Sequence, residues 1–299
     1  MQFPSPSIPF ILFLLSMLMF GAARAEISVR DDSGAMLKLA APARRIVSLA
    51  PHITENLYTA GAGKYIVGVS EFSDYPPEAK HIAHVSNYAG FDLEAILARQ
   101  PDLVIVWEGG STEAQMARLK ALGLPLFVSQ PRRIDDIPSN IERFGELAAT
   151  GDVATTAAHA FRTRLAQLRS RYANRPVVRT FYQIWHQPLA TVNGEQLISS
   201  VMQLCGAKNI FANLPLLAPS VTLEAVLAAN PEAIVASGMD ESRPEWLDMW
   251  RRWKDLTANA RGNLFFIPPD LINRHTSRVL DGAQMLCNHL ETARSKRPR

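Results

Sequence analysis

Hydrophobic and polar positions along the chain fall into blocks whose period switches between that of a buried strand and that of an amphipathic helix. Arg45-Ile46-Val47-Ser48-Leu49 is a short apolar run ended by Pro51 and reads as a buried strand. Residues 53–60 follow with helical spacing and stop at Gly61. Residues 65–69, 103–106 (after Pro101-Asp102) and 126–128 (after Gly123) read as further strands, with helical patterns between them. The second half repeats the plan. Strands are expected at 177–184, at 233–236 just after Pro231-Glu232, and at Phe265-Phe266-Ile267, stopped by Pro268-Pro269. A last helix is expected over 277–293, before a basic, frayed tail at 294–299. Strands alternating with helices predict an α/β fold with mainly parallel sheets.

Between the halves, residues 152–173 contain no Pro or Gly, and Ala158, Phe161, Leu165, Leu168 and Tyr172 recur at steps of three or four. That pattern predicts one amphipathic helix of ~30 Å, ended by Asn174-Arg175-Pro176. A flexible linker would be rich in Gly and Ser, so the halves are expected to be held by a stiff strut, with little movement between them. The expected partition is a leader at 1–25, a first α/β lobe at 26–150, the connecting helix at 151–175, a second α/β lobe at 176–293 and the tail at 294–299. An internal repeat supports two lobes. Residues 92–106 (DLEAILARQPDLVIV) align with 222–236 (TLEAVLAANPEAIVA), identical at six of 15 positions. Each copy reads as an N-cap (Asp92, Thr222), a short helix, a proline turn and a buried strand.

Composition changes this picture in three places. With 31 Lys+Arg against 28 Asp+Glu and no large block of either sign, the net charge of +3 gives no reason to expect a nucleic-acid partner. Residues 8–20 are apolar apart from Pro9 and Ser16, and end at Ala23-Arg24-Ala25, a small-x-small pattern. This predicts an export signal cleaved before Glu26. The alternative is an uncleaved anchor, since residues 1–7 lack Lys and Arg. The destination is an oxidising compartment, most simply a bacterial periplasm. The two cysteines, Cys205 and Cys287, therefore read first as a disulfide, with two buried free thiols as the alternative.

Four segments carry a family resemblance: 45–51 (RIVSLAP), 69–77 (VSEFSDYPP), 92–96 (DLEAI) with 101–107 (PDLVIVW), and 204–211 (LCGAKNIF). They resemble the periplasmic vitamin B12 (cobalamin)-binding proteins, over residues 44–290 and with both cysteines in matching places. The resemblance implies two α/β lobes bridged by one long helix, the class III periplasmic binding protein fold. It also implies cobalamin or a related corrinoid as transported ligand in the cleft, no resident cofactor, and delivery to the membrane subunits of an ABC importer by a monomer.

By motif position Tyr75, Tyr88 and Trp107 resemble the family's ligand contacts. Ile184 falls where the family can place an aromatic, with Trp185 beside it as a substitute. Asp270 and Arg274 resemble its polar contacts on the second lobe. Physically, a large, flat, neutral guest edged with amides asks for aromatic walls and a few polar groups at strand-exit loops. Two departures stand out: Tyr88 replaces a common Trp, and Ala218 stands where a Trp can complete the second-lobe wall. Trp246, Trp250 and Trp253, at helical spacing, read as packing. Glu94 and Glu224, the paired acids of the repeat, resemble the family's transporter-docking glutamates. The plainer reading is a favourable placement in the first turn of a helix.

Competing functions are a haem or ferric-siderophore receptor of the same fold and, more remotely, a zinc or manganese receptor. A siderophore complex would favour a basic pocket, and the cleft loops offer Arg274 and little else. His186 and His275 flank the cleft loops and are expected to be able to meet across it. His81 and His84, following Pro76-Pro77, read as surface. No nucleophile elbow, phosphate loop, zincin motif or dinucleotide fingerprint is present, so no enzyme is expected.

Overall fold

A computed structural model describes residues 26–87, 90–238 and 242–298. The proposed leader and Tyr88 lie outside the described residues. The first lobe opens with a hairpin of β1 (Ile27–Arg30) and β2 (Met36–Leu39). Its main sheet then uses β3 (Ile46–Ser48), β4 (Ile66–Ser70), β5 (His84–Asn87), β6 (Gly90–Phe91), β7 (Leu103–Trp107) and β8 (Leu126–Ser129). Their order is β6-β5-β4-β3-β7-β8, parallel throughout except for the edge strand β6. Burial on both faces explains why β3 and β7 read as unbroken apolar runs.

In the second lobe β9 (Val178–Gln183) carries a small hairpin of β10 (Trp185–His186) and β11 (Leu189–Ala190). The sheet is completed by β12 (Ala207–Asn209), β13 (Ala233–Ala236) and β14 (Leu264–Phe266), in the order β12-β9-β13-β14 and wholly parallel. β5, β6 and β12 were not expected from the sequence. They are short, and Lys208 and His84 break their apolar pattern with exposed polar positions.

The expected strut is the helix Gly151–Tyr172, with Ala158, Phe161, Leu165, Leu168 and Tyr172 all buried. It packs on the helix Asp136–Ala148 of the first lobe and on the helix Val279–Ser295 of the second. Phe161, Leu165, Leu168 and Tyr172 belong to one apolar core that runs from Ile46 and Phe127, through the strut, to Val235 and Leu286. Each lobe adds a smaller core on its outer sheet face, around Val104 and Ile96 in the first and around Trp250 and Phe181 in the second. A core continuous across the junction makes relative lobe movement costly, since opening it would expose closely packed apolar surface. Among the described residues, no helix is long and apolar enough to cross a membrane.

The repeat is realised in three dimensions. Asp92 Oδ1 accepts from Ala95 N at 2.9 Å and Thr222 Oγ1 from Ala225 N at 3.2 Å, capping the helices Leu93–Ala98 and Leu223–Ala229 that lead into β7 and β13. Cys205, at the end of the helix Leu197–Leu204, is bonded to Cys287 of the last helix, a disulfide within the second lobe. The tail departs from expectation. The last helix continues to Ser295, and Arg294 donates to the carbonyls of Pro176 and Cys205 at 2.7 and 2.8 Å. Arg297 donates to Glu232 at 2.8 Å. The basic residues read as fraying thus tie the chain end to the base of the second sheet.

Candidate functional site

Parallel strands of both lobes deliver their C-terminal ends to the same side, and the loops leaving them face each other across a cleft. In the first lobe the loop after β4 rests on a chain of buried hydroxyls. Ser48 meets Thr54 at 2.8 Å, Thr54 reaches Ser73 at 3.2 Å, and Ser73 meets Ser70 at 3.1 Å. That anchorage holds Phe72 at φ 62°, a region an aromatic residue seldom occupies, with the residue 66% exposed. Tyr75, in the same loop, is 41% exposed. Trp107 ends β7 and its ring lies across Gly110, where a Cβ would come within 2.2 Å of the indole, so only glycine lets the loop close there.

The second-lobe wall comes from residues 268–278, between the short helix Pro269–Ile272 and the last helix. A Cβ at Gly282 would lie 2.3 Å from the Leu271 carbonyl, so this glycine seats the short helix against the long one. From that platform four groups cross to the first lobe. Arg278 donates to both carboxylate oxygens of Glu55, at 2.8 and 2.7 Å, with its guanidinium 3.8 Å from the Tyr75 ring centre. Arg274 pairs with Asp74 at 2.9 Å and with Asp270 at 2.9 Å. Asn56 donates to the His275 carbonyl at 2.9 Å. The fourth is the His275 ring itself, 5.5 Å from His52 and 6.3 Å from Trp107, with His52 edge-on to Trp107 at 5.2 Å.

Between the lobes lies a cavity of about 250 Å³. Trp107, Gln130 and Arg132 line it from the first lobe, and Glu195, Leu217 and His275 from the second. Arg132 and Glu195 offset each other, so the lining carries no net charge. The volume is smaller than the roughly 300–1,000 Å³ of a typical small-molecule pocket, so a broader guest would lie partly along the open rim. Among the described residues, His52 Nε2, Asn56 Oδ1, Trp107 Nε1 and Thr276 Oγ1 are buried polar atoms without partners at the lobe junction, and Trp107 itself lines the cavity. Such atoms are costly unless a guest or water satisfies them. Both imidazoles are held neutral. Burial, then the neighbouring charges of His275 and Arg274, keeps His52 well below its ordinary range. Burial lowers His275 to about 4 despite an opposing pull from Asp136.

The structure brings Tyr75, Trp107, Asp270 and Arg274 together at the junction. It puts Ile184 against the core and folds Trp185 onto its own hairpin, its Nε1 donating to Gln187 O at 3.0 Å. Neither of the two lines the cavity. Arg274 is not a free cation, because two carboxylates neutralise it. His186 does not meet His275; it stacks on Trp246 at 5.5 Å, and the partner of His275 is His52. Trp250 is fully buried and Trp246 and Trp253 pack beside it, as the spacing predicted. Next to Ala218, Leu217 lines the cavity and is 54% exposed. Phe72, His52 and Leu217 were missed by sequence reasoning. For Phe72 the available signal was an aromatic within a Ser-rich strand-exit loop. Glu94 and Glu224 are both exposed in the first turns of the repeated helices, and among the described residues neither pairs with a cation.

Two parallel-sheet lobes, a helical backbone and a cleft lined by strand-exit loops define a solute receptor of the two-lobed periplasmic type. The family described as "Periplasmic binding protein" matches residues 46–271. A vitamin B12-binding protein of Vibrio campbellii is 40% identical over 257 residues, which is 86% of this chain and 92% of that protein. One from Yersinia pestis is 38% identical over 248 residues, covering 83% and 86%. The crystal structure of the periplasmic vitamin B12 binding protein BtuF of Vibrio cholerae superposes with a TM-score of 0.79 at 39% identity, covering 85% of this chain and 98% of that one. The haem-binding protein RhuT of Roseiflexus shares the fold alone, at 21% identity and a TM-score of 0.70. The chain belongs to the periplasmic binding protein family, and within it to the group of the vitamin B12-binding proteins.

Proposed function

We propose that this protein captures cobalamin, or a related corrinoid, in the inter-lobe cleft and delivers it to an ABC importer of the inner membrane. The observation that carries the reading is the cleft's balance of charge. Its cations are paired or offset, its histidines are neutral, and its open rim is aromatic and aliphatic. Such a surface suits a flat, uncharged guest whose amide edge satisfies the orphaned indole N–H and the neighbouring polar atoms. Haem and ferric siderophores carry carboxylates or other anionic groups, and would leave them facing Glu195 with Arg132 alone in compensation. Among the described residues, no three His, Cys, Asp or Glu converge to hold a free metal ion. Similarity to the vitamin B12-binding proteins supports the same choice.

The protein acts by binding, leaving the covalent framework of its cargo intact, as an exported monomer cleaved after Ala25. The continuous core keeps lobe movement small. Tyr75, Trp107, Asp270 and Arg274 form the junction that the guest meets, and Tyr88 joins them by motif position. Glu94 and Glu224, in equivalent positions on the two lobes, serve as docking points on a two-fold transporter.

The test is retention of cyanocobalamin, haemin and ferric siderophores by the purified protein after desalting, read by absorbance. Near-stoichiometric cobalamin is expected, and Trp107→Ala should weaken it about tenfold or more. Selective retention of haem or a siderophore would overturn the reading.

A further inference from the structure

The cavity holds chemistry that an amide-edged guest does not fully use. His275 lines it from the second lobe, and His52 lies directly behind from the first, buried, with a ring nitrogen that has no partner. Among the described residues, no hydrogen bond is formed by the His275 side chain. Two imidazoles without a third ligand cannot complete the four-coordinate shell of a free ion. A metal already held in plane by four macrocycle nitrogens needs only one axial donor, the task a proximal histidine performs for haem iron.

We propose that His275 supplies an axial imidazole nitrogen to the metal of the corrinoid held in the cleft, with His52 and Trp107 fixing the orientation of its ring. This rests on the cobalamin reading above. Ligation is a simple exchange. A labile water leaves cobalt(III), the lone pair of one ring nitrogen takes its place, and the imidazole keeps its proton on the other nitrogen. No electron is transferred. Burial favours the neutral imidazole that such a bond requires, since a protonated ring has no lone pair to give. His52 and His275 come from opposite lobes, so the donor is in place only when the lobes are seated as they are here. The consequence is selectivity. Corrinoids with an exchangeable axial position gain a bond that cyanocobalamin, whose upper position is held by cyanide, does not.

The experiment compares aquacobalamin and cyanocobalamin on the mature chain by visible absorption and by competition. Bound aquacobalamin should take on the spectrum of its imidazole complex, while bound cyanocobalamin stays unchanged. His275→Ala should abolish the shift and weaken aquacobalamin about tenfold more than it weakens cyanocobalamin. A second measurement needs no variant. Cob(II)inamide has no nitrogen base of its own, so a three-line nitrogen splitting in its electron paramagnetic resonance spectrum, once bound, reports a nitrogen from the protein. Retention of both cobalamins with an unshifted aquacobalamin spectrum and no nitrogen splitting overturns the axial bond and leaves the cargo reading standing. Failure to retain either cobalamin overturns the cargo reading itself. A shift that survives His275→Ala and disappears in His52→Ala overturns the assignment to His275.

Discussion

Substituting Arg278 by Met should cost far more than its distance from the cavity suggests. Glu55 has only 2% of its side chain exposed, and the Arg278 guanidinium, 17% exposed, meets both of its oxygens. Removing the cation leaves a carboxylate buried and uncompensated, a change that typically costs about 3–5 kcal/mol. Loss of the guanidinium over the Tyr75 ring adds roughly 0.5–1 kcal/mol. A combined loss near 4 kcal/mol corresponds to a fall in Tm of about 10 °C for a chain of this size. The pair also offers its own control. In Glu55→Gln/Arg278→Met no buried charge is stranded, so most of the loss should return. Asp74→Asn breaks an inter-lobe pair whose carboxylate is 45% exposed, and should cost no more than about 1 kcal/mol. Urea and thermal unfolding of the ligand-free protein at pH 7 read all three. If Arg278→Met lost less than Asp74→Asn, or the double variant lost as much as the single one, the ion pair would not be holding the lobes together in the way described.

Three further outcomes follow from the geometry. His275 sits at about 4 in the folded protein against an ordinary 6.5, so the unfolded chain takes up the proton first. Stability should be full above about pH 7 and fall by up to about 3 kcal/mol between pH 6.5 and 4, with His52 acting in the same direction and the nearby Asp136 opposing. Urea midpoints across that range should slope less steeply in His275→Gln, and equal slopes would remove the histidine from the explanation. Replacing Cys205 and Cys287 together by Ala should destabilise the second lobe by up to roughly 4–5 kcal/mol, as expected for a loop spanning a separation of 82 residues. An unchanged midpoint in non-reducing buffer would argue against that contribution. Reversing charge at both Glu94 and Glu224 should abolish uptake by transporter-containing vesicles while ligand affinity stays intact, and uptake at the native rate would dismiss the docking role.

Much of the scaffold was legible along the chain because its signals are local. Apolar runs marked β3, β7 and β13, and the Pro/Gly-free stretch marked the strut. The repeat marked two capped helices leading into buried strands. The short strands β5, β6 and β12 were not legible, since two to four residues carry no period of their own and pair only because a neighbour offers an edge. The tail was misjudged for a related reason: the carbonyls that Arg294 caps come from residues more than 80 positions away.

The site divides along the same line. Aromatics at strand exits pointed to Tyr75 and Trp107, because the topology of a parallel sheet places those loops on one side wherever the lobes end up, and family resemblance pointed to Asp270 and Arg274. Which charges survive there depends on partners 200 and 223 residues apart, Asp74 with Arg274 and Glu55 with Arg278. Only packing decided that those cations are neutralised, that His52 rather than His186 meets His275, and that Leu217 lines the cavity. The sequence by itself determined a two-lobed frame and the class of guest it suits, through periodicity and motif. The tertiary structure decided the cleft's charge balance and its pair of imidazoles, because desolvation and pairing are properties of neighbours in space.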